Sequence, residues 1–535
     1  MSKTRQPWQG AALTHPTNAL SRLGRLCASA LCLLVVACAS LPAEVQRSET
    51  RSFEDTAGTA LGQNLQPLLA AHPGRSGFLT LVDGEEAFIA RLRAIEAAQR
   101  SIDAQYYIWH DDLTGRVLHN RLLVAADRGV RVRLLLDDLD TAGKDEMLRL
   151  IDAHPNIEIR LFNPFANRNT RAGDFLGDTR RINHRMHNKT LTVDNQLTVF
   201  GGRNIGDEYF AATTDVGFGD MDALAVGPIV QEVSEQFDLY WNNHLVYPID
   251  AFDWDTPVDP GAVTAFRAQS DDYLEAARGS AYADILRQFE AAKVEDLAQL
   301  DLVWSAWALV YDQPDKLRAK EVSEGTHLAP KLRQGMDMTR QELIIVSPYF
   351  VPGEDITRYL TSLVDRGVRV RILTNSLQAN DVSLVHAGYM RYRKDLLAGG
   401  VELYEYKVSA DRVRQKSSGK NRIGTSGASL HAKFFGFDRQ YLFIGSFNLD
   451  PRSIALNTEL GAYYKSSAQA AALSAHFDDK ALEIAYRVVL TEQGKLEWVT
   501  LEDGQELRLD WEPDTTLWKR WSTRFLSIFV PESQL

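Results

Sequence analysis

The sequence predicts an α/β protein of two pseudo-symmetric lobes, each a mixed β-sheet flanked by helices, with the active site at the lobe interface. Three observations carry that prediction. First, "HNKTLTVDNQLTVFGGRNIG" (187–206) and "HAKFFGFDRQYLFIGSFNLD" (431–450) share one sparse polar pattern, their histidines 244 residues apart. Each has Lys two residues after His, Asp at seven, Gly at fourteen and Asn at seventeen. Second, "DRGVRVRLLLDD" from Asp127 returns as "DRGVRVRILTNS" from Asp365, an offset of 238. Two landmarks in one order at nearly one offset mark a duplicated domain, and the period is too long for a solenoid. Third, apolar strand-like runs alternate with helical stretches in both halves, the grammar of a covered sheet.

The chain has 535 residues, 45% hydrophobic and 24% charged, ordinary for a folded protein of at least two domains. Its formal net charge of −12 argues against a nucleic-acid partner, whose footprint would be basic. Residues 1–37 carry Lys3, Arg5, Arg22 and Arg25 and no acid, then run through "LCASALCLLVVA" into Cys38. That is the layout of a secretory signal, and the run is short of the ~20 apolar residues of a membrane span. "VVAC" resembles a bacterial lipobox, which makes Cys38 a lipidation site and the mature N-terminus. Ala39 then favours the outer membrane over inner-membrane retention. All three cysteines (Cys27, Cys32, Cys38) lie in this region, so the body has no thiol, as suits an oxidising compartment. The expected location is the bacterial cell envelope, lipid-anchored on the periplasmic face of the outer membrane.

Residues 38–75, polar with Pro and Gly, read as a tether. The first lobe is expected at 76–325 with connecting helices, the second at 326–490, and a C-terminal extension at 491–535. Each lobe opens with a strand, "SIDAQYYIW" (101–109) or "ELIIVSPYFV" (342–351). A Leu- and Arg-rich helix then leads to the Gly of "DRGV", a helix stop, and a buried strand follows. The signature motifs read as paired strands, the first turning at Asn195. His and Lys then sit at one sheet edge, and the Gly-x-x-Asn segment ends the next strand.

The chemistry follows from that placement. Residues two apart on a strand share a face, so His187 and Lys189 stand together, as do His431 and Lys433. Gly201, Gly202, Gly445 and Ser446 allow close backbone approach, and Asn204 or Asn448 adds a neutral donor. Such a set suits a tetrahedral anion: Lys and Asn hold non-bridging oxygens while a neutral imidazole attacks phosphorus. Two facing lobes supply a second imidazole as acid for the leaving group, its role reversing in the second half-reaction.

His-x-Lys-x4-Asp with its Gly and Asn tail, present twice, resembles the phospholipase D superfamily. "GGRNIGDEYF", "GSFNLDPRS" and "NSLQANDVSLVHAGY" are similar to its bacterial cardiolipin-synthesising branch; the resemblance covers about 75–490. It implies half-sites of His187, Lys189 and Asn204 and of His431, Lys433 and Asn448, with His187 as nucleophile and His431 as acid. It implies that Asp194 and Asp438 act structurally, away from the phosphate. It also implies a carboxylate beyond each motif that orients an imidazole, matched here by Glu459 in "NTELGAYY" and by Asp222 in "GDMDALAVGP", with Asp220 nearby. No metal or cofactor is implied. The expected reaction is phosphatidyl transfer through a phosphatidyl-histidine, making cardiolipin from phosphatidylglycerol and a second phospholipid, with phosphatidylethanolamine allowed as donor. The alternatives are a phospholipase D with water as acceptor, an exported phosphodiesterase or nuclease, and a lipid-binding scaffold with a dead site. A small protein partner is left open.

Three further features are singled out. Arg180, Arg181 and Arg185 precede the first motif, and Lys416, Lys420 and Arg422, in a Gly/Ser-rich loop, precede the second. They form either a positive rim that focuses an anionic headgroup or two solvated loops. His386 is expected in a substrate pocket. His184 divides evenly between site and structure, and His110 in "IWHDDLTG" reads as a turn and an Asp-capped helix start, with a metal site as the less favoured alternative. Finally, "TTLWKRWSTRFLSIFV" (515–530) spaces Trp518, Trp521 and Phe525 on one helical face. That stripe either lies on a membrane or, the preferred reading, packs on the body.

Overall fold

The computed structural model describes residues 40–168, 171, 174, 178–210, 218–254, 256–277, 300–319, 321–380, 382–408, 429–502 and 504–529. The signal segment, Cys38 and the Lys416, Lys420 and Arg422 cluster lie outside the described residues.

Ten strands come from the first half: β1 (Ser76–Leu81), β2 (Ser101–Tyr106), β3 (Arg131–Asp137), β4 (Ile157–Phe162), β5 (Thr190–Val193), β6 (Leu197–Gly201), β7 (Phe218–Gly219), β8 (Asp222–Val226), β9 (Val246–Pro248) and β10 (Val303–Ser305). All but β7 form a nine-stranded sheet in the order β10-β1-β8-β6-β5-β2-β3-β4-β9. The second half gives β11 (Trp307–Tyr311), β12 (Glu342–Val346), β13 (Arg369–Asn375), β14 (Glu402–Tyr406), β15 (Ser429–Leu430), β16 (Phe434–Phe437), β17 (Tyr441–Gly445), β18 (Leu460–Lys465), β19 (Ala485–Leu490), β20 (Leu496–Glu502) and β21 (Gln505–Leu509). All but β15 form a ten-stranded sheet, β11-β18-β17-β16-β12-β13-β14-β19-β20-β21. Each sheet is mixed. β2, β3 and β4 run parallel, as do β12, β13 and β14, and each motif hairpin, β5–β6 or β16–β17, pairs antiparallel beside them.

The two sheets pack face to face. Phe78, Phe200 and Ala225 meet Ile344, Leu442 and Tyr464 in one buried cluster, and the Phe78 and Tyr464 rings stack at 4.5 Å. Helices cover the outer faces. These are α1 (Gly84–Ala97) and α2 (Leu113–Asp127) on the first sheet, and α3 (Leu328–Met338) and α4 (Gly353–Asp365) on the second. Helices α2 and α4 end where the repeated "DRG" requires it. Gly129 (φ 92°) and Gly367 (φ 88°) take the left-handed conformation that closes a helix and that a side chain disfavours. The repeated Arg on the following strand is explained by a buried partner. Arg133 binds Asp103 at 2.7 and 2.8 Å, and its counterpart Arg371 binds Glu342.

The boundaries differ from those expected. The 38–75 segment is not a free tether: Arg47 Nε donates to Val246 O at 2.6 Å, Ser52 N to Asp238 at 2.8 Å, and Leu61 and Leu65 enter the first core. The sheets change over at Ala306, between β10 and β11, rather than near 325, because β11 is the edge partner of β18. Residues 491–535 are not a mere appendage, since β20 and β21 complete the second sheet.

Candidate active site

Each motif hairpin is built alike. β5 and β6 join through Asp194 (φ 50°) and Asn195 (φ 51°), and β16 and β17 through Asp438 (φ 51°) and Arg439 (φ 55°), paired left-handed turns that suit a tight hairpin. Both aspartates sit at this far end. Asp194 accepts the amides of Gln99, Arg100 and Ser101, and Asp438 those of Arg340, Gln341 and Glu342, so each ties its hairpin to the start of the adjacent parallel strand. They are structural, away from the histidines.

At the other end the lobes interlock. His187 N donates to Thr458 O at 2.8 Å, while β15 pairs in parallel with β7 and His431 N donates to Gly219 O at 2.8 Å. The residue after each acceptor is acidic, so each backbone contact sets a carboxylate against the incoming imidazole. Glu459 Oε2 lies 2.9 Å from His187 Nδ1, and Asp220 Oδ2 lies 2.6 Å from His431 Nδ1. Each lobe therefore orients the other's histidine. A carboxylate on Nδ1 holds the proton there and leaves Nε2 to face the reaction. The rings are also braced edge-on by Tyr107 (5.0 Å from His187) and Tyr209 (5.2 Å from His431).

Asp222, the expected orienting acid, does not reach a histidine. It begins β8, paired with Leu81 and Gly201, and its carboxylate is held by buried guanidiniums at 2.8 Å (Arg91) and 3.3 Å (Arg203). Asp220, before the strand, takes the role. Gly202 is required beside it, because a Cβ there would collide with the Asp220 carboxylate.

The two histidine–carboxylate pairs are electrostatically unequal. Burial is the largest cause holding His187 well below its usual 6.5, reinforced by Lys189, Lys433, His431 and Arg452. Those contributors place both half-sites in one field. Burial and Lys433 also lower His431, but Asp220 opposes them. Burial raises Glu459 to about 7, against Lys189 and the hydroxyls of Ser446 and Ser453. Burial raises Asp220 too, yet His431, Lys433 and Arg203 outweigh it, and that carboxyl sits well below its usual range. The surroundings thus favour the charged form of Asp220, while burial works against that of Glu459. Lys189, fully buried, falls to about 7 through desolvation, partly offset by Glu459. Its Nζ donates to His187 O at 2.6 Å, and Lys433 makes the matching bond to His431 O.

The asparagines differ. Asn204 accepts from Ile108 N at 3.3 Å and donates to Tyr209 Oη at 3.0 Å, whereas the buried Oδ1 of Asn448 has no protein partner among the described residues. Ser446, expected only to permit close approach, donates to Glu459 Oε2 at 2.5 Å, and Ser453 donates to Oε1 at 2.7 Å. Sequence reasoning also missed Arg452, which spans the lobes to Asn183 at 2.7 Å. Its cue was position: it lies four residues after Asn448, in the segment that shares a pattern with the first lobe.

The basic rim is largely not a rim. Arg185 is buried, donating to Asp137, His184 O and Asn163 O, and Arg181 is tied to Asp178, Asn163 and Pro164 O. Of the three, Arg180 alone is exposed. His184 is structural, its Nδ1 2.6 Å from Arg180 O. His386, expected in a substrate pocket, is a buried residue of α5 (Ser383–Met390), its Nε2 accepting from Arg393 at 2.8 Å, and Arg393 is in turn paired with Glu405 and Glu512. His110 pairs with Glu208 at 3.2 Å, and Asp112 caps α2 through Gly115 N, as the sequence indicated.

A family model described as "Cardiolipin synthase, PLD-like domain" matches residues 92–241 and 332–481, one copy per lobe. The chain is 42% identical over 481 residues to cardiolipin synthase C of Escherichia coli (strain K12), covering 88% of this chain and 99% of that protein. It is 31% identical over 487 residues to an uncharacterized protein of Helicobacter pylori (strain ATCC 700392 / 26695), covering 89% and 93%. Among solved structures, a phosphatidylserine synthase of Haemophilus influenzae Rd KW20 shares the fold, with a TM-score of 0.55 at 13% identity over 88% of this chain and 100% of that one.

Proposed function

The chain belongs to the PLD-like cardiolipin synthase family, and from that membership we propose that it is a phosphatidyltransferase that makes cardiolipin. His187 Nε2 attacks the phosphorus of a donor phospholipid. The P–O bond to the headgroup breaks, His431 gives its Nε2 proton to the departing alcohol oxygen, and phosphatidyl-His187 forms. An acceptor alcohol, the free glycerol end of phosphatidylglycerol, then loses its proton to His431 and attacks the same phosphorus. The P–N bond breaks, and both histidines return to their starting states.

The observation that carries this reading is the reciprocal exchange of carboxylates, which leaves both half-sites complete and unequal. His187, held well below its usual value by burial and the neighbouring cations, is the better neutral nucleophile. His431, against the ionised Asp220, is the better imidazolium. Lys189, Lys433 and Asn448 hold the phosphate oxygens. The donor is phosphatidylglycerol or phosphatidylethanolamine, and the protein works in the cell envelope, anchored through Cys38. The anchor and the location rest on residues 1–38 of the sequence alone.

Product analysis tests the reaction. Purified protein in mixed micelles of phosphatidylglycerol and phosphatidylethanolamine should yield cardiolipin in excess of phosphatidic acid. Phosphatidic acid alone, at every phosphatidylglycerol content, would replace the synthase with a phospholipase.

A further inference from the structure

The C-terminal helix α6 (Leu517–Phe529) shows its aromatic stripe to solvent, contrary to the packing preferred from the sequence. Trp518 is 71% exposed, Trp521 56% and Phe525 48%. The rings stack in a ladder, with centroids 5.3 Å apart for Trp518 and Trp521 and 5.5 Å for Trp521 and Phe525. The opposite side holds the helix in place: it packs on α5, Thr523 is buried, and Lys519 Nζ donates to Gln378 Oε1 at 3.2 Å. Body contacts therefore fix the helix and leave its most apolar face outward. A contiguous exposed aromatic ladder on a soluble surface marks an interaction site.

Charge identifies the partner. Residues 515–530 contain Lys519, Arg520 and Arg524 and no acid, in a chain of net charge −12. A basic helix on an acidic body complements an anionic surface, and two such helices would repel each other, which disfavours a second copy. Tryptophan flanked by Lys and Arg is the composition of a helix lying at a lipid headgroup boundary. Among the described residues no helix is long and apolar enough to cross a membrane, so contact with lipid there is at a surface.

Position links the helix to the reaction. Gln378 lies in the segment leaving β13, three residues after Asn375. The Asn375 amide accepts from Leu430 N and donates to Leu430 O, both at 2.9 Å, one residue before His431. The segment that carries the helix is thus the one that braces the strand before His431, so α6 is tied to the part of the second lobe that holds this histidine.

We infer that the exposed aromatic face of α6, on a helix that carries basic residues and no acid, seats the protein on an anionic phospholipid surface. This deepens the lipid-substrate reading by naming the surface through which the site meets its substrate. It is a second contact besides any acyl anchor.

The test is tryptophan quenching in the full chain by vesicles of brominated phosphatidylglycerol. Wild type should lose part of its fluorescence, and Trp518→Phe with Trp521→Phe should abolish most of that loss. High salt, or Arg520→Gln with Arg524→Gln, should weaken the quenching, and neutral phosphatidylcholine vesicles should quench less. A quenchable fraction unchanged in the double Phe variant would overturn the inference. So would an effect of that variant on self-association alone, which would assign the face to a second copy. The measurement needs no turnover, so it stands apart from the proposed reaction. If turnover is seen, Trp518→Ala with Trp521→Ala should raise KM on vesicles about tenfold or more and leave turnover of a monomeric short-chain substrate unchanged.

Discussion

Glu459 of the second lobe accepts a hydrogen bond from Nδ1 of His187 of the first, at 2.9 Å, across the lobe interface. Asp220 answers in the opposite direction at His431, at 2.6 Å. Among the described residues neither His187 nor His431 takes its carboxylate from its own lobe, so a single lobe folded alone would present that imidazole without the acid that fixes its tautomer. The exchange also couples catalysis to the docking of the lobes, since Thr458 and Gly219 supply both the interlobe backbone contacts and the lead into each acid.

The two carboxylates should be separable by leaving group. Asp220→Asn removes the anion that stabilises imidazolium, so turnover of a donor with a poorly leaving alcohol should fall ~10²–10⁴-fold. A donor with a nitrophenol leaving group, which needs no acid, should lose far less. Glu459→Gln should slow both donors alike, because it misdirects the nucleophile. Steady-state kinetics on the two donors checks this, and an equal pattern for both variants would contradict the division of roles.

The nucleophile is identified by trapping. His187→Ala should remove turnover and the acid-labile phosphatidyl-enzyme together. His431→Ala should slow turnover yet still accumulate labelled protein from a donor with a good leaving group. Label surviving His187→Ala and absent from His431→Ala would exchange the two assignments.

The pH dependence has a definite sign. His187 is held well below 6.5, so kcat/KM should rise with pH through that low value as the nucleophile becomes neutral. Burial brings Lys189 down to about 7, so the rate should fall as pH rises through that region and the proposed phosphate site loses a charge. In Lys189→Arg, whose guanidinium keeps its proton, the contribution of this residue to the alkaline limb should disappear even if the maximum rate drops. A limb of unchanged position in that variant would show that His431 alone sets it.

The arginines before the first motif should divide by burial. Arg185→Gln strips the cation from the buried Asp137 pair and should cost about 3 kcal/mol of stability, read as a lowered thermal midpoint. Arg180→Gln, on the surface, should change stability by no more than ~0.5 kcal/mol. If it acts at all, it should act on the ratio of cardiolipin to phosphatidic acid. Calorimetry and product ratios on the two variants distinguish the cases.

Chelation should leave the rate unchanged. In the proposed mechanism Lys189, Lys433, Asn448 and the two histidines hold the phosphate, and these are not an oxygen cage. Activity in detergent micelles should therefore survive EDTA. Loss that one added divalent ion restores would show that the two-histidine mechanism is incomplete.

The parts of this protein legible in its sequence are those set by spacing along one chain segment. The two offsets revealed the duplication. Alternating and buried apolar runs located β2, β3, β12 and β13 to within a few residues, because the period of a strand is a local property. The same local reasoning placed each His and Lys together, and the superfamily resemblance set Asp194 and Asp438 apart as structural. Contacts between segments distant in sequence were not legible. Asp220 and Asp222 are both aspartates beyond one motif. Only the pairing of β8 beside Arg91 and Arg203, and of β7 with β15, gives one to guanidiniums and the other to His431. Arg185 and His386 carry the residue types of a binding site, but packing supplied them with buried partners. Helical periodicity put Trp518, Trp521 and Phe525 on one face. Which way that face points depends on where α5 offers a surface, and the docking of Thr523 and Lys519 there turned the aromatics outward.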